Sequence, residues 1–169
     1  AGTAGCVLAN RLSADPKARV CIVEAGPPDR SYKIRIPAAV AAAIGDRRFG
    51  WGYFSTPQAG AGGRPIFIPR GRVIGGSGSI NGMVYFRGHP RDFDDWSKVH
   101  GATGWSYAEV LPYFKRSENN EAWPDSPYHG VGGEMNVSDI PRVNPLIDVF
   151  LKAAEQLRLK RNPDFNAAD

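Results

Sequence analysis

The chain has 169 residues, a net charge of +4 at neutral pH, and 20 glycines and 14 prolines with no repeat period. That length suffices for one domain with a hydrophobic core broken by many turns. The basic residues are scattered, with Arg47–Arg48 and Lys160–Arg161 as isolated pairs, and no apolar run reaches membrane-spanning length, so neither nucleic acid nor a bilayer is the expected partner.

The chain opens AGTAGCVLANRL. Gly2 and Gly5 fit the last two glycines of a G-x-G-x-x-G turn whose first glycine would precede Ala1. An apolar helical run follows to Leu12, and Ser13, Asp15 and Pro16 break it. Val20 to Val23 reads as a short buried strand ending in Glu24. In a βαβ dinucleotide fold an acidic residue about 20 positions past the glycines bonds the adenosine ribose, and the helix N-terminus stabilises the phosphates. The apolar strand that should come before Ala1 is missing. Cys6 and Cys21 sit in apolar segments without metal-ligand spacing and read as buried free thiols, with a disulfide left open.

Pro37 to Ile44 reads as a short helix with proline near its start and Gly45 ending it. Phe49 to Thr56 reads as a strand whose Trp51, Tyr53 and Phe54 are expected in the core rather than against a ligand. A glycine turn and a second short strand then lead into PRGRVIGGSGSINGMVYFRG, residues 69–88. This stretch is too glycine-rich for an ordinary helix or strand. Gly71, Gly75, Gly76, Gly78 and Gly82 allow the backbone to approach a ligand closely, and Ser77, Ser79 and Asn81 add short polar groups. Arg70, Arg72 and Arg87 put positive charge at its two ends. If the glycines near residue 2 and those near residue 76 serve one long ligand, they grip its opposite ends and must fold to face each other.

Phe93, Trp96 and Val99 recur as one face of a short helix. His89, His100 and His129 sit in turn-like settings and none has a claim as a catalytic base. Ser106 and Glu109 form a capping box, Trp105 can staple onto Val110, and Pro112 should kink or shorten the helix that follows. Glu118, Asn119 and Asn120 read as the opening of a polar loop to about Gly130, and Gly133 to Val137 as a strand. Asn144–Pro145 starts a helix whose apolar face runs from Leu146 to Leu157.

On these residues the chain resembles the N-terminal part of the glucose–methanol–choline (GMC) family of flavin oxidoreductases, nearest its choline-dehydrogenase-like branch. The similarity rests on AGTAGCVLANRLS with the strand ending in Glu24, on the 69–88 stretch, on RGHPRDFDDW and GWSYAEVLPYFKRSE, and on Asp164–Asn166. The resemblance implies an α/β fold: a partial Rossmann-like FAD-binding domain lacking its first strand, with short helices and loops. It implies one incomplete FAD-binding domain over 1–169, with 105–169 beginning the substrate-domain insertions.

By position in the family, Gly2, Thr3 and Ala4 would hold the pyrophosphate of FAD, with Glu24 and Ala25 at the adenosine ribose. Arg70, Gly71, Gly75, Gly76, Ser79, Asn81, Gly82, Met83 and Val84 would wrap the flavin side. Some relatives attach the flavin through a histidine just before the position of Asn81; Ile80 stands there, which implies non-covalent FAD. Gly78, Arg158 and Ala167 depart from the family pattern. The resemblance further implies a small alcohol or choline-like substrate, an electron acceptor and a cytoplasmic protein. It implies hydride transfer to flavin N5 with a catalytic histidine expected beyond Asp169, so that this chain by itself would lack turnover. Two alternatives stay open: an NAD-type Rossmann binder, and a non-enzymatic fragment that presents an interaction surface.

Overall fold

The computed structural model describes residues 1–167. The chain divides into two compact units, Ala1–Val84 and Tyr85–Asp169.

In the first unit, helix α1 spans Thr3–Leu12, with Gly2 at its N-cap. Ser13 closes it, its amide donating to Ala9 O at 3.0 Å. Helix α2, Tyr32–Arg35, is capped by Ser31, whose hydroxyl accepts from the Lys33 amide. A 3₁₀ turn at Pro37–Ala39 leads into α3, Val40–Ile44, and Gly45 ends it as the sequence predicts. Strands β1, Tyr53–Phe54, and β2, Phe67–Ile68, pair antiparallel, with Tyr53 opposite Ile68. The glycine-rich stretch runs irregularly to a 3₁₀ turn at Gly76–Ile80. Under it lies a small core of Ala43, Phe49, Val73 and Ile80, with Ile34 packed against it.

In the second unit, α4 spans Pro90–Lys98 and starts at His89, whose Nδ1 accepts from the Arg91 amide at 3.0 Å. His89 thus works as a helix cap. Helix α5, Tyr107–Ser117, starts at the expected capping box: Glu109 Oε2 accepts from the Ser106 amide at 3.0 Å. Phe93 joins these two helices, its ring 6.0 Å from Tyr107 and 5.7 Å from Phe114. Strands β3, Glu118–Asn120, and β4, Met135–Val137, pair in parallel. Helix α6, Pro145–Gln156, has Asn144 as N-cap, the side chain accepting from the Leu146 amide at 3.0 Å. An Asn144→Ala substitution removes that acceptor and should destabilise α6 by about 1 kcal/mol. Unchanged hydrogen exchange in the first turn of α6 would contradict this.

Several expectations are corrected. Val20 to Val23 forms no strand ladder among the described residues, and Val23 is 84% exposed. A strand needs a ladder of bonds to a partner, and here the Ala1 nitrogen donates to Val23 O at 3.2 Å without a ladder forming. Both thiols are free, but Cys21 is exposed and Cys6 only half-buried. Trp51, Tyr53 and Phe54 are exposed rather than in the core. Pro112 lies inside α5, yet the helix continues to Ser117. Glu118 to Asn120 is not a polar loop: Glu118 is fully buried and Asn120 nearly so. The core is also smaller than the length suggests. The apolar faces of α1 and α6 stay uncovered, with Leu8 61% and Phe150 73% exposed. No helix among the described residues is long and apolar enough to cross a membrane.

Candidate functional site

The two glycine segments meet. Gly2 and Gly75 form a parallel β-bridge, and the Gly75 amide donates to Ala1 O at 2.7 Å. Gly76 follows at φ +59, where its missing Cβ would sit 2.7 Å from the Gly2 Cα. Gly71 closes the other flank: a Cβ there would lie 2.3 Å from the Gly76 carbonyl oxygen. Backbone approaches backbone at these points, and a side chain at either would force the two strands of chain apart.

Beside this junction is a cavity of about 510 Å³. Its floor is the first turn of α1, from Gly2 to Gly5, and its walls are Val23 to Ala25, Trp51, Gly71, Gly76 and Ser77. Gly2 gives α1 no side-chain cap. The first-turn N–H groups therefore lack intrahelical acceptors and, with the helix dipole, put partial positive charge at the cavity. Ser77 Oγ accepts from the Gly71 amide at 3.0 Å, holding the glycine loop closed.

Glu24 lines the same cavity beside the start of α1. Its Oε2 lies 2.9 Å from the Ala1 nitrogen, and its Oε1 accepts from the Gly26 amide at 2.8 Å. A donor-lined helix terminus beside a fixed carboxylate suits a ligand with both phosphate and hydroxyl groups.

Of the site residues predicted from sequence, Gly2, Thr3, Ala4, Glu24, Ala25, Gly71 and Gly76 line this one cavity. Gly75 joins its two walls. Ser79, Asn81 and Met83 line a second cavity of about 520 Å³ with Asp29, Lys33 and Arg35. There Asn81 Oδ1 accepts from the Met83 amide at 2.9 Å, and Met83 takes φ +55. A non-glycine residue in that region is strained, and the Asn81 bond holds it there. Gly82 and Val84 are exposed and line neither cavity, and the Arg70 guanidinium folds back on Pro69 O at 2.7 Å. Gly78, a departure from the family pattern, sits against α1: a Cβ there would meet Thr3 Oγ1 at 2.7 Å.

Sequence reasoning missed Trp51. Its ring lines the first cavity, stacks on Tyr53 at 5.9 Å and 4°, and carries the Arg72 guanidinium 5.7 Å from its centroid. Its place next to Gly50 and Gly52, where little else can cover the ring, was the available signal.

These features define a class: a glycine-built cradle at a helix N-terminus, closed by a second glycine turn from later in the chain. The GMC oxidoreductase family matches residues 1–168, and the chain belongs to that family. It is 44% identical over 168 residues to an alcohol dehydrogenase [acceptor] of Pseudomonas putida, covering 99% of this chain and 30% of that protein. It is 45% identical over 167 residues to an oxygen-dependent choline dehydrogenase of Sinorhizobium fredii, again covering 99% of this chain and 30% of the relative. The chain thus spans under a third of the length of these relatives. Among solved structures, pyridoxine 4-oxidase from Mesorbium loti superposes with a TM-score of 0.82 at 39% identity, over 92% of this chain and 30% of that one. An FAD-dependent oxidoreductase from Chaetomium thermophilum gives a TM-score of 0.79 at 33% identity, over 98% of this chain and 30% of that one.

Proposed function

We propose that this chain is the FAD-binding part of an oxidoreductase acting on the CH–OH group of a small alcohol or choline-like substrate. The observation that carries the reading is the meeting of the α1 N-terminus and the Gly75–Gly76 turn at one cavity that Glu24 also lines. The names of the relatives support an alcohol or choline as substrate. Residues 1–84 would supply the partial Rossmann-like dinucleotide site, and 105–169 would begin the substrate side.

The residues present fit FAD. The first-turn amides of Thr3, Ala4 and Gly5 would hold the pyrophosphate, which needs donors and partial positive charge. Glu24 would accept from the ribose hydroxyls. Gly71 and Gly76 let the backbones on the two sides of the cavity close against each other, which a Cβ at either position would prevent. Ser79, Asn81 and Met83 would lie toward the flavin end. When bound, FAD supplies two-electron acceptance from the carbinol carbon. The chain's own part is to bind, orient and exclude water.

Ile80 is buried in the core with Val73 and Phe49. It presents no nucleophile, so the flavin would be held non-covalently. Denaturing the loaded protein should release all flavin into the filtrate, and flavin mass retained on the peptide would overturn that.

Trp51 gives a direct binding test. Its ring lines the cavity, so FAD should quench tryptophan fluorescence, and Trp51→Phe should remove most of the quench. The chain has four tryptophans, and the other three line other parts of the molecule or none of this cavity. Titration with NAD in parallel separates the two dinucleotides. A quench by NAD but not by FAD would replace the flavin reading with an NAD-binding one, and a quench by neither would leave an interaction module.

A further inference from the structure

The second unit holds a buried ionic chain that the cavity in the first unit does not use. His129 is 4% exposed. Its Nδ1 lies 2.8 Å from Glu118 Oε1 and its Nε2 lies 2.9 Å from Asp164 Oδ2. Glu118 is also bonded by the Arg87 guanidinium and by the Gly130 amide at 3.1 Å. On the far side, Asp164 Oδ1 accepts from the Asn166 amide at 2.9 Å. Asn166 then grips the start of the unit from two sides. Its Oδ1 accepts from the Arg87 amide at 3.0 Å, and its Nδ2 donates to Tyr85 O at 3.1 Å.

A neutral imidazole has one N–H and one lone pair, whereas the imidazolium has two N–H groups. Only the imidazolium can donate to both carboxylates. Arg87 pairs with Glu118, and the imidazolium can pair with Asp164 as well as Glu118, whereas a neutral ring leaves one of those two carboxylates without its donor. The groups bonded to the ring are Glu118 and Asn120 from β3 and Asp164 from the C-terminal segment, with Arg87 acting through Glu118, and Asp139 and Tyr85 line the same pocket. The Asn120 amide, 3.0 Å from Nδ1, can serve a bare Nδ1. It cannot relieve Glu118 Oε1, which would then face that lone pair at bonding distance.

We propose that His129 is a positioning residue, the proton-charged pin of a latch. Through Asp164 it fastens segment 162–166, and through Asn166 it fixes the backbone at Tyr85–Arg87, at the end of the glycine-rich stretch. The latch is closed with the imidazolium and loosens when the ring loses a proton. This inference stands independently of what the cavity in the first unit binds.

Hydrogen exchange on the intact protein, corrected for the intrinsic pH dependence of exchange, tests it. Between pH 6 and pH 9 the Arg87 amide and segment 162–166 should lose protection together, by about tenfold, as a local opening does when one buried charge pair is lost. Asp164→Asn should flatten that response, because the introduced amide can accept from a protonated Nε2 or donate to a bare one. Asn166→Ala should expose the Arg87 amide at every pH while leaving the ring's partners in place. Protection that stays level from pH 6 to 9 in the unaltered protein overturns the proposal. So does loss confined to 162–166, or an Asp164→Asn variant that responds like the parent.

Discussion

Replacing Gly76 with alanine should weaken FAD binding by at least about 100-fold, since a factor of ten is 1.4 kcal/mol and two separate costs apply. The first cost is conformational: Gly76 sits at φ +59, where a residue with a Cβ carries roughly 1–3 kcal/mol of strain. The second is steric, because the new Cβ would lie 2.7 Å from the Gly2 Cα. That neighbour is backbone and cannot swing aside as a side-chain tip could. The turn has to retreat from the N-terminus of α1, opening the Gly2–Gly75 bridge and widening the cavity between its two walls. Equilibrium titration followed by flavin absorbance would read the loss. Ala25, on the same cavity wall, offers a control: Ala25→Gly deletes a methyl without adding bulk, and a comparable loss there would mean that Gly76 has no special place in the cradle. Full binding by the Gly76→Ala protein would remove the physical footing of the proposed function.

Replacing Arg87 with alanine should destabilise the second unit by about 3–5 kcal/mol, the cost of leaving a buried charge without its partner. Arg87 is 8% exposed, and Glu118, which it pairs, is fully buried. The guanidinium also donates to Tyr128 O at 2.5 Å, and its carbon lies 5.6 Å from the Tyr85 ring centroid and 5.4 Å from that of Phe114. Burial by itself pushes the Glu118 carboxyl up. The bonds from Asn120, His129 and the Gly130 amide, with the Arg87 charge, more than offset it, so the group is held below its ordinary value. Removing the cation takes away both a bond and a balancing charge. A double variant, Arg87→Ala with Glu118→Gln, should recover much of the loss, because it removes both charges at once. Denaturant unfolding of the four proteins in that cycle measures the coupling. An Arg87→Ala protein as stable as its parent would show that the pair is solvated in solution.

The two sites differ in how far the amino-acid sequence reveals them. The cradle announces itself because glycines at 2, 5, 71, 75 and 76 are dense and their spacing to Glu24 is characteristic. The latch does not. Arg87, Glu118, His129 and Asp164 are far apart in the chain, and each is unremarkable among its neighbours. His129 between a tyrosine and a glycine looks like a turn residue, and Glu118 after a helix looks like the start of a solvated loop. What joins them is the parallel pairing of β3 with β4 and the return of segment 162–166, neither of which leaves a local mark.

Helix starts and stops were determined locally. Ser31, His89, Ser106 and Asn144 each offer an acceptor to the free amides of a first turn, and Gly45 ends α3; such signals act over three or four residues and need no partner elsewhere. Strands and burial were decided only in three dimensions. Val20–Val23 has the composition of a strand but meets only the Ala1 nitrogen at Val23 O and forms no ladder, while β1 and β2 exist because each lies against the other. The same holds for Trp51, whose aromatic ring is equally at home in a core or on a cavity wall. Which it became depended on where the Gly71 and Gly76 backbones came to rest, and a hydrophobic side chain carries no information about that.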